Sequence, residues 1–99
     1  MNAKLPNSTI SKLKSLAQRL EPVLALGKAG VTDAFIKSLD EVLGQHELVK
    51  IKFAAFKDER KTLAPQLAEK TASQLIWVVG HVAVFYRPQP DAAKRKIEI

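Results

Sequence analysis

The first place in this sequence where chemistry suggests itself is Gly27-Lys28-Ala29-Gly30. The 99-residue chain has only four glycines, and two of them bracket a lysine and an alanine here. A glycine marks a backbone position that takes positive φ or lets another group approach closely. The apolar run Val23-Leu24-Ala25-Leu26 precedes the turn, and Thr32-Asp33 opens a pattern of helical period after it. A turn feeding a helix start presents backbone N–H groups without intrahelical partners, at the positive end of the helix dipole. Such corners attract anions, phosphate above all, and Lys28 adds a mobile full charge. Taken alone, the spacing also fits a tight strand-to-helix connection in which Gly27 and Gly30 serve geometry and Lys28 is only solvated. The G-x-x-x-x-G-K-[ST] spacing of a nucleotide-hydrolysis loop is missing. Asp33, in the first helical turn, works against a deep phosphate pocket.

Other cations could widen a positive surface around that corner: Lys12, Lys14 and Arg19 on a first helix, Lys37 on a second, and Lys50 and Lys52 on a strand. Lys50 and Lys52 equally read as a solvated strand face that discourages edge pairing. Arg87 closes the last strand, where it contacts phosphate or pairs with a carboxylate such as Glu47. Trp77 is the lone tryptophan. On the face opposite Ile76 and Val78 it would offer an unpaired base a stacking platform; otherwise it is a large packing residue.

Catalysis finds no footing. His46 precedes Glu47 without a second histidine at HExxH spacing, and His81 falls in a turn. No serine lies in a G-x-S-x-G elbow, and the absence of cysteine removes disulfides, thiolate metal sites and thiol nucleophiles. No cofactor or metal is expected.

These residues need elements to hold them. Ile10, Leu13, Leu16, Ala17 and Leu20 form a helical stripe that Asn7 or Ser8 can cap and Pro22 stops. Residues 23–26 read as a short strand. Phe35, Ile36, Leu39, Val42 and Leu43 mark a second helix. Residues 47–54 alternate cleanly, with Val49, Ile51 and Phe53 on one face and Leu48, Lys50 and Lys52 on the other. A third helix covers about residues 60–72, where Pro65 implies a late start or a kink. Two β-rich runs joined at Gly80-His81 read as a hairpin. The order α-β-α-β-α-β-β implies an α/β two-layer sandwich: a mixed four-stranded sheet with helices on one face and the other face open. Residues 1–90 make one domain, and 91–99, with Lys94, Arg95 and Lys96, a flexible basic tail. Apolar residues are 46% and charged residues 26%, a globular mixture. No stretch approaches the roughly 20 apolar residues of a membrane span, and "MNAKLPNSTI" has no signal-peptide core, so a cytoplasmic, membrane-free protein is expected. Sixteen Lys and Arg against ten Asp and Glu leave a net charge of +6, which favours a polyanionic partner.

The stretch "LEPVLALGKAGVTDAFIKSLDEVLGQHELVKIKF", followed by "VVGHVAVFYRP", resembles the YhbY family, or CRM domain, over about residues 5–89. The resemblance implies a fold like the C-terminal domain of a bacterial translation initiation factor. It implies RNA as partner, with ribosomal RNA of the large-subunit precursor foremost, bound by a monomer during subunit assembly. Its GxxG loop maps onto Gly27, Lys28, Ala29 and Gly30. Unlike the KH loop to which it is likened, this one follows a strand. The alternatives are an RNA role in intron splicing or translation, or a basic module that binds an acidic protein. Pro65 and Trp77 depart from the family pattern.

Overall fold

In the computed structural model, residues 5–91 and 93 are described. The elements are α1 (Asn7–Ala17), β1 (Leu24–Leu26), α2 (Asp33–His46), β2 (Leu48–Phe53), a 3-10 turn (Lys57–Glu59), α3 (Arg60–Lys70), β3 (Gln74–Val79) and β4 (Val82–Tyr86). They follow the expected order. The basic tail expected over 91–99 lies outside the described residues apart from Asp91 and Ala93.

The four strands form one mixed sheet in the order β1-β2-β4-β3. β1 pairs parallel with β2, and β4 lies antiparallel between β2 and β3. The connections β1-α2-β2 and β2-α3-β3 both step across the sheet in the same direction. With one handedness for both, their helices must fall on the same face. They do: Leu39 and Leu43 of α2 and Ala64, Leu67 and Ala68 of α3 join Leu26, Val49, Ile51, Phe53, Ala83 and Phe85 in the main core.

The layering corrects one expectation. α1 precedes β1 and belongs to no crossover, so no handedness rule fixes its side. It lies on the opposite face, where Leu13 and Ala17 bury against Leu48, Ile76, Val84 and Tyr86. The sheet is therefore covered fully on one side and partly on the other, making three layers where α1 lies. The uncovered part carries exposed Ala25, Lys52 and Val79 at the end where β1 and β2 finish.

A bulge in β3 supplies the second correction. Leu75 pairs with Phe85 and Trp77 with Val84, so Ile76 is an extra residue in the ladder. Leu75 and Val78 pack into the main core, and Ile76 and Trp77 both face α1. Simple alternation, which paired Ile76 with Val78, fails there.

Local chemistry explains the ends. α1 starts after Pro6 with no side-chain cap, against the expected Asn7 or Ser8 cap. α3 starts at Arg60 and keeps Pro65 inside it. Pro65 removes the donor that the Lys61 carbonyl would otherwise receive, and both residues stand on the exposed side of the helix. α3 closes in a Schellman arrangement. The Ser73 N–H donates to the Ala68 carbonyl at 2.9 Å and the Ala72 N–H to Glu69 at 3.3 Å, with Ala72 at φ 51°. Glu47, in left-handed φ at 64°, is fully buried after α2 and accepts from the Gln89 N–H at 2.9 Å.

Candidate functional site

The Gly27–Gly30 segment is a β-turn. The Gly30 N–H donates to the Gly27 carbonyl at 3.0 Å, and the Thr32 N–H to Gly30 at 3.0 Å. Gly30 takes φ 75°, a conformation that favours glycine; Gly27 does not have positive φ, and a Cβ there would meet nothing within 4 Å. The two glycines thus differ in role. Gly30 makes the turn, and Gly27 leaves open space beside it.

The amides of Lys28 and Ala29, at the centre of the turn, have no acceptor among the described residues. Both residues are exposed, and Lys28 makes no ion pair among the described residues. Three residues on, Thr32 caps α2: its hydroxyl oxygen accepts the Phe35 N–H at 3.0 Å. The Asp33 and Ala34 amides of the first turn remain without a described acceptor. A solvent-facing corner therefore holds several free N–H groups and one ammonium. Asp33, exposed at the helix start, is the one carboxylate of that segment.

Two other segments share this end of the sheet. The Ala54 and Ala55 N–H groups both donate to the Leu26 carbonyl at 3.0 Å, which ties the exit of β2 to the exit of β1. The Phe53 N–H donates to the His81 carbonyl at 2.7 Å, which brings in the β3–β4 turn. Lys52, paired with Ala25, is exposed one step behind. Sequence reasoning missed Phe56 and Lys57, both exposed and carried to this end by the Leu26 bonds. Their stretch, "FKDERK", reads as an undistinguished polar loop, and its one signal is a large aromatic among charges.

The remaining candidates divide. Lys12 is exposed on α1. Lys14 places its ammonium 5.4 Å from the Trp77 ring centre, and Trp77 is half-buried against α1. The indole is thus on the face that carries Lys50 and Lys52, but as a packing residue topped by a cation rather than a bare platform. Lys50 donates to the Leu20 carbonyl at 3.2 Å and so ties the α1–β1 connection to the sheet. Arg19 borders an apolar groove at the other end, with Leu16, Leu20, Val23, His46 and Leu48. Lys37 is exposed on α2, in the layer opposite α1. Arg87 sits at the far end of β4, away from the turn. Its guanidinium bonds the Asp40 carboxylate, the Asp40 carbonyl at 2.9 Å and the Thr71 carbonyl at 2.8 Å. Arg87 is a clamp across α2, α3 and β4, and its carboxylate partner is Asp40 rather than Glu47.

Among the described residues, no group of His, Cys, Asp and Glu could hold a metal ion, and no helix is long and apolar enough to cross a membrane.

The structure is thus a small α/β domain whose mixed sheet carries, at one end, an exposed corner with a lysine and amides that have no described acceptor. The chain belongs to the CRS1/YhbY (CRM) domain family, whose model matches residues 5–87. A probable RNA-binding protein of Pseudomonas aeruginosa is 34% identical over 84 residues, covering 84% of this chain and 81% of its own length. An RNA-binding protein of Haemophilus influenzae is 33% identical over 81 residues, covering 81% of this chain and 82% of its own. The solution structure of a hypothetical Staphylococcus aureus protein, assigned there to RNA binding, superposes with a TM-score of 0.77 at 32% identity, covering 96% of this chain and all of that one.

Proposed function

We propose that this protein binds RNA through the phosphate backbone, using the Gly27–Gly30 turn as its grip. The observation that carries the reading is the exposed corner itself. The Lys28 and Ala29 amides have no described acceptor, and the Lys28 side chain has no counter-ion among the described residues. A phosphate oxygen would supply both. Lys52 extends the footprint, and a net charge of +6 favours encounter with any polyanion. Because such contacts read phosphates rather than base edges, recognition follows RNA shape. The names of the family's relatives support RNA over other anions.

The finer proposal is a monomer that binds ribosomal RNA of the large-subunit precursor during assembly. Crosslinking in living cells, with the bound nucleotides sequenced, tests it. The expected result is crosslinks concentrated on large-subunit precursor RNA and depleted in Lys28→Ala. Crosslinks spread over unrelated transcripts, or unchanged in the variant, would overturn it.

One observation favours a second reading, a protein-interaction module. Leu16, Leu20 and Val23 are exposed at 36%, 38% and 48% along the groove beside β1. Partners that survive RNase treatment in a pull-down would support that reading, and partners that vanish would support RNA.

A further inference from the structure

Phe56 is the most conspicuous residue near the turn that the phosphate reading leaves unused. It is 39% exposed, although it is among the largest apolar residues of the chain. Its backbone is left-handed, at φ 55° and ψ 37°, a region that residues with a Cβ resist. Such outliers persist where the surroundings hold them, and they gather at functional sites. Its ring lies against Gly30: a Cβ added there would stand 3.4 Å from Cε2 and 3.5 Å from Cζ of Phe56. The glycine that shapes the turn also seats the ring beside it.

We infer that Phe56 is a stacking shelf for one unpaired RNA base, whose flanking phosphate is held by the adjacent turn. The inference rests on the phosphate reading of that turn and narrows its ligand to RNA containing an unpaired nucleotide. In a duplex the bases are stacked inside and cannot reach the ring; in a loop or bulge a base can splay onto it. The charges around the ring say the same. Lys57 is followed by Asp58 and Glu59 in the 3-10 turn, so the segment adds little net charge. Its contribution must come from the ring face. Lys28, exposed in the adjacent turn, supplies the cation. The ring therefore contributes a salt-insensitive term, and Lys28 a salt-sensitive one.

The test measures binding of a labelled oligoadenylate of roughly 12 nucleotides, within the span of small single-strand sites, and of its duplex with oligouridylate, at several salt concentrations. Phe56→Leu keeps an apolar side chain against Gly30 but removes the aromatic face; Phe56→Trp keeps the face. Thermal unfolding confirms that each variant is folded. For Phe56→Leu, single-strand affinity is expected to fall about 5- to 100-fold, as loss of one stacked base implies. The loss should be equal at low and high salt, absent on the duplex and restored in Phe56→Trp. Equal losses on single strand and duplex, or no loss on either, would overturn the shelf. Lys28→Ala, measured alongside, separates the two ideas. If it weakens both ligands while Phe56→Leu weakens neither, the grip stands without the shelf. If it too changes nothing, the grip fails with it.

Discussion

Replacing Lys28 by alanine isolates the electrostatic half of the grip. Lys28 is exposed and makes no ion pair among the described residues, so its loss should change folding stability by no more than about 0.5 kcal/mol. If its ammonium neutralises one phosphate, the variant loses one contact's share of counterion release. That lowers the slope of log K against log salt by about 0.7 on single strands and 0.9 on duplex. At roughly 0.1 M salt the same slope corresponds to about a sixfold loss of affinity, shrinking towards none near 1 M. Lys70 is the control, an exposed lysine in the last turn of α3, at the opposite end of the sheet. Lys70→Ala removes the same formal charge and should leave the slope unchanged. Fluorescence anisotropy titrations at four or so salt concentrations read both slopes. Identical slopes in wild type and Lys28→Ala would refute the contact. Equal slope changes in the two variants would reduce it to a diffuse effect of net charge.

Four further outcomes follow from the geometry. Gly30→Ala forces a side chain into φ 75° against the Phe56 ring and should cost about 1–2 kcal/mol in chemical denaturation. Gly27→Ala meets open space and should be near neutral for stability yet weaken RNA binding where the backbone is closely approached. Arg87→Ala removes three bonds that hold α2 and the end of α3 to β4, and should lower stability by about 1–3 kcal/mol, with RNA binding by the folded protein unchanged. Ala72→Gly places glycine at the left-handed position of the α3 C-terminus and should raise stability by about 1 kcal/mol, read as a higher denaturation midpoint.

Much of this architecture was legible in the residues. The α2 stripe, the alternation of β2 and the Gly80-His81 hairpin rest on local periodicity, and each appears where its pattern lies. Val49, Ile51 and Phe53 bury together as alternation demands. The corner at Gly27–Gly30 was legible as a strand–turn–helix joint because glycine and capping residues act locally. What escaped is set by tertiary packing. No local pattern tells α1 which face to take, and the extra residue Ile76 turned Trp77 towards α1. Arg87 and Asp40 are 47 positions apart, so their pairing depends on the finished fold. Phe56 lies in a stretch that reads only as a polar loop, because its contact with Gly30 joins residues distant in sequence.

The most direct measurement is an amide NMR titration of the folded protein with RNA. The free N–H groups at the corner should report phosphate binding themselves: Lys28 and Ala29, with Asp33 and Ala34 behind them, should show the largest shifts and saturate with the binding curve. If those four amides stay still while shifts gather elsewhere, for instance along the Leu16–Leu20–Val23 groove, RNA is held by another surface and the phosphate grip is wrong.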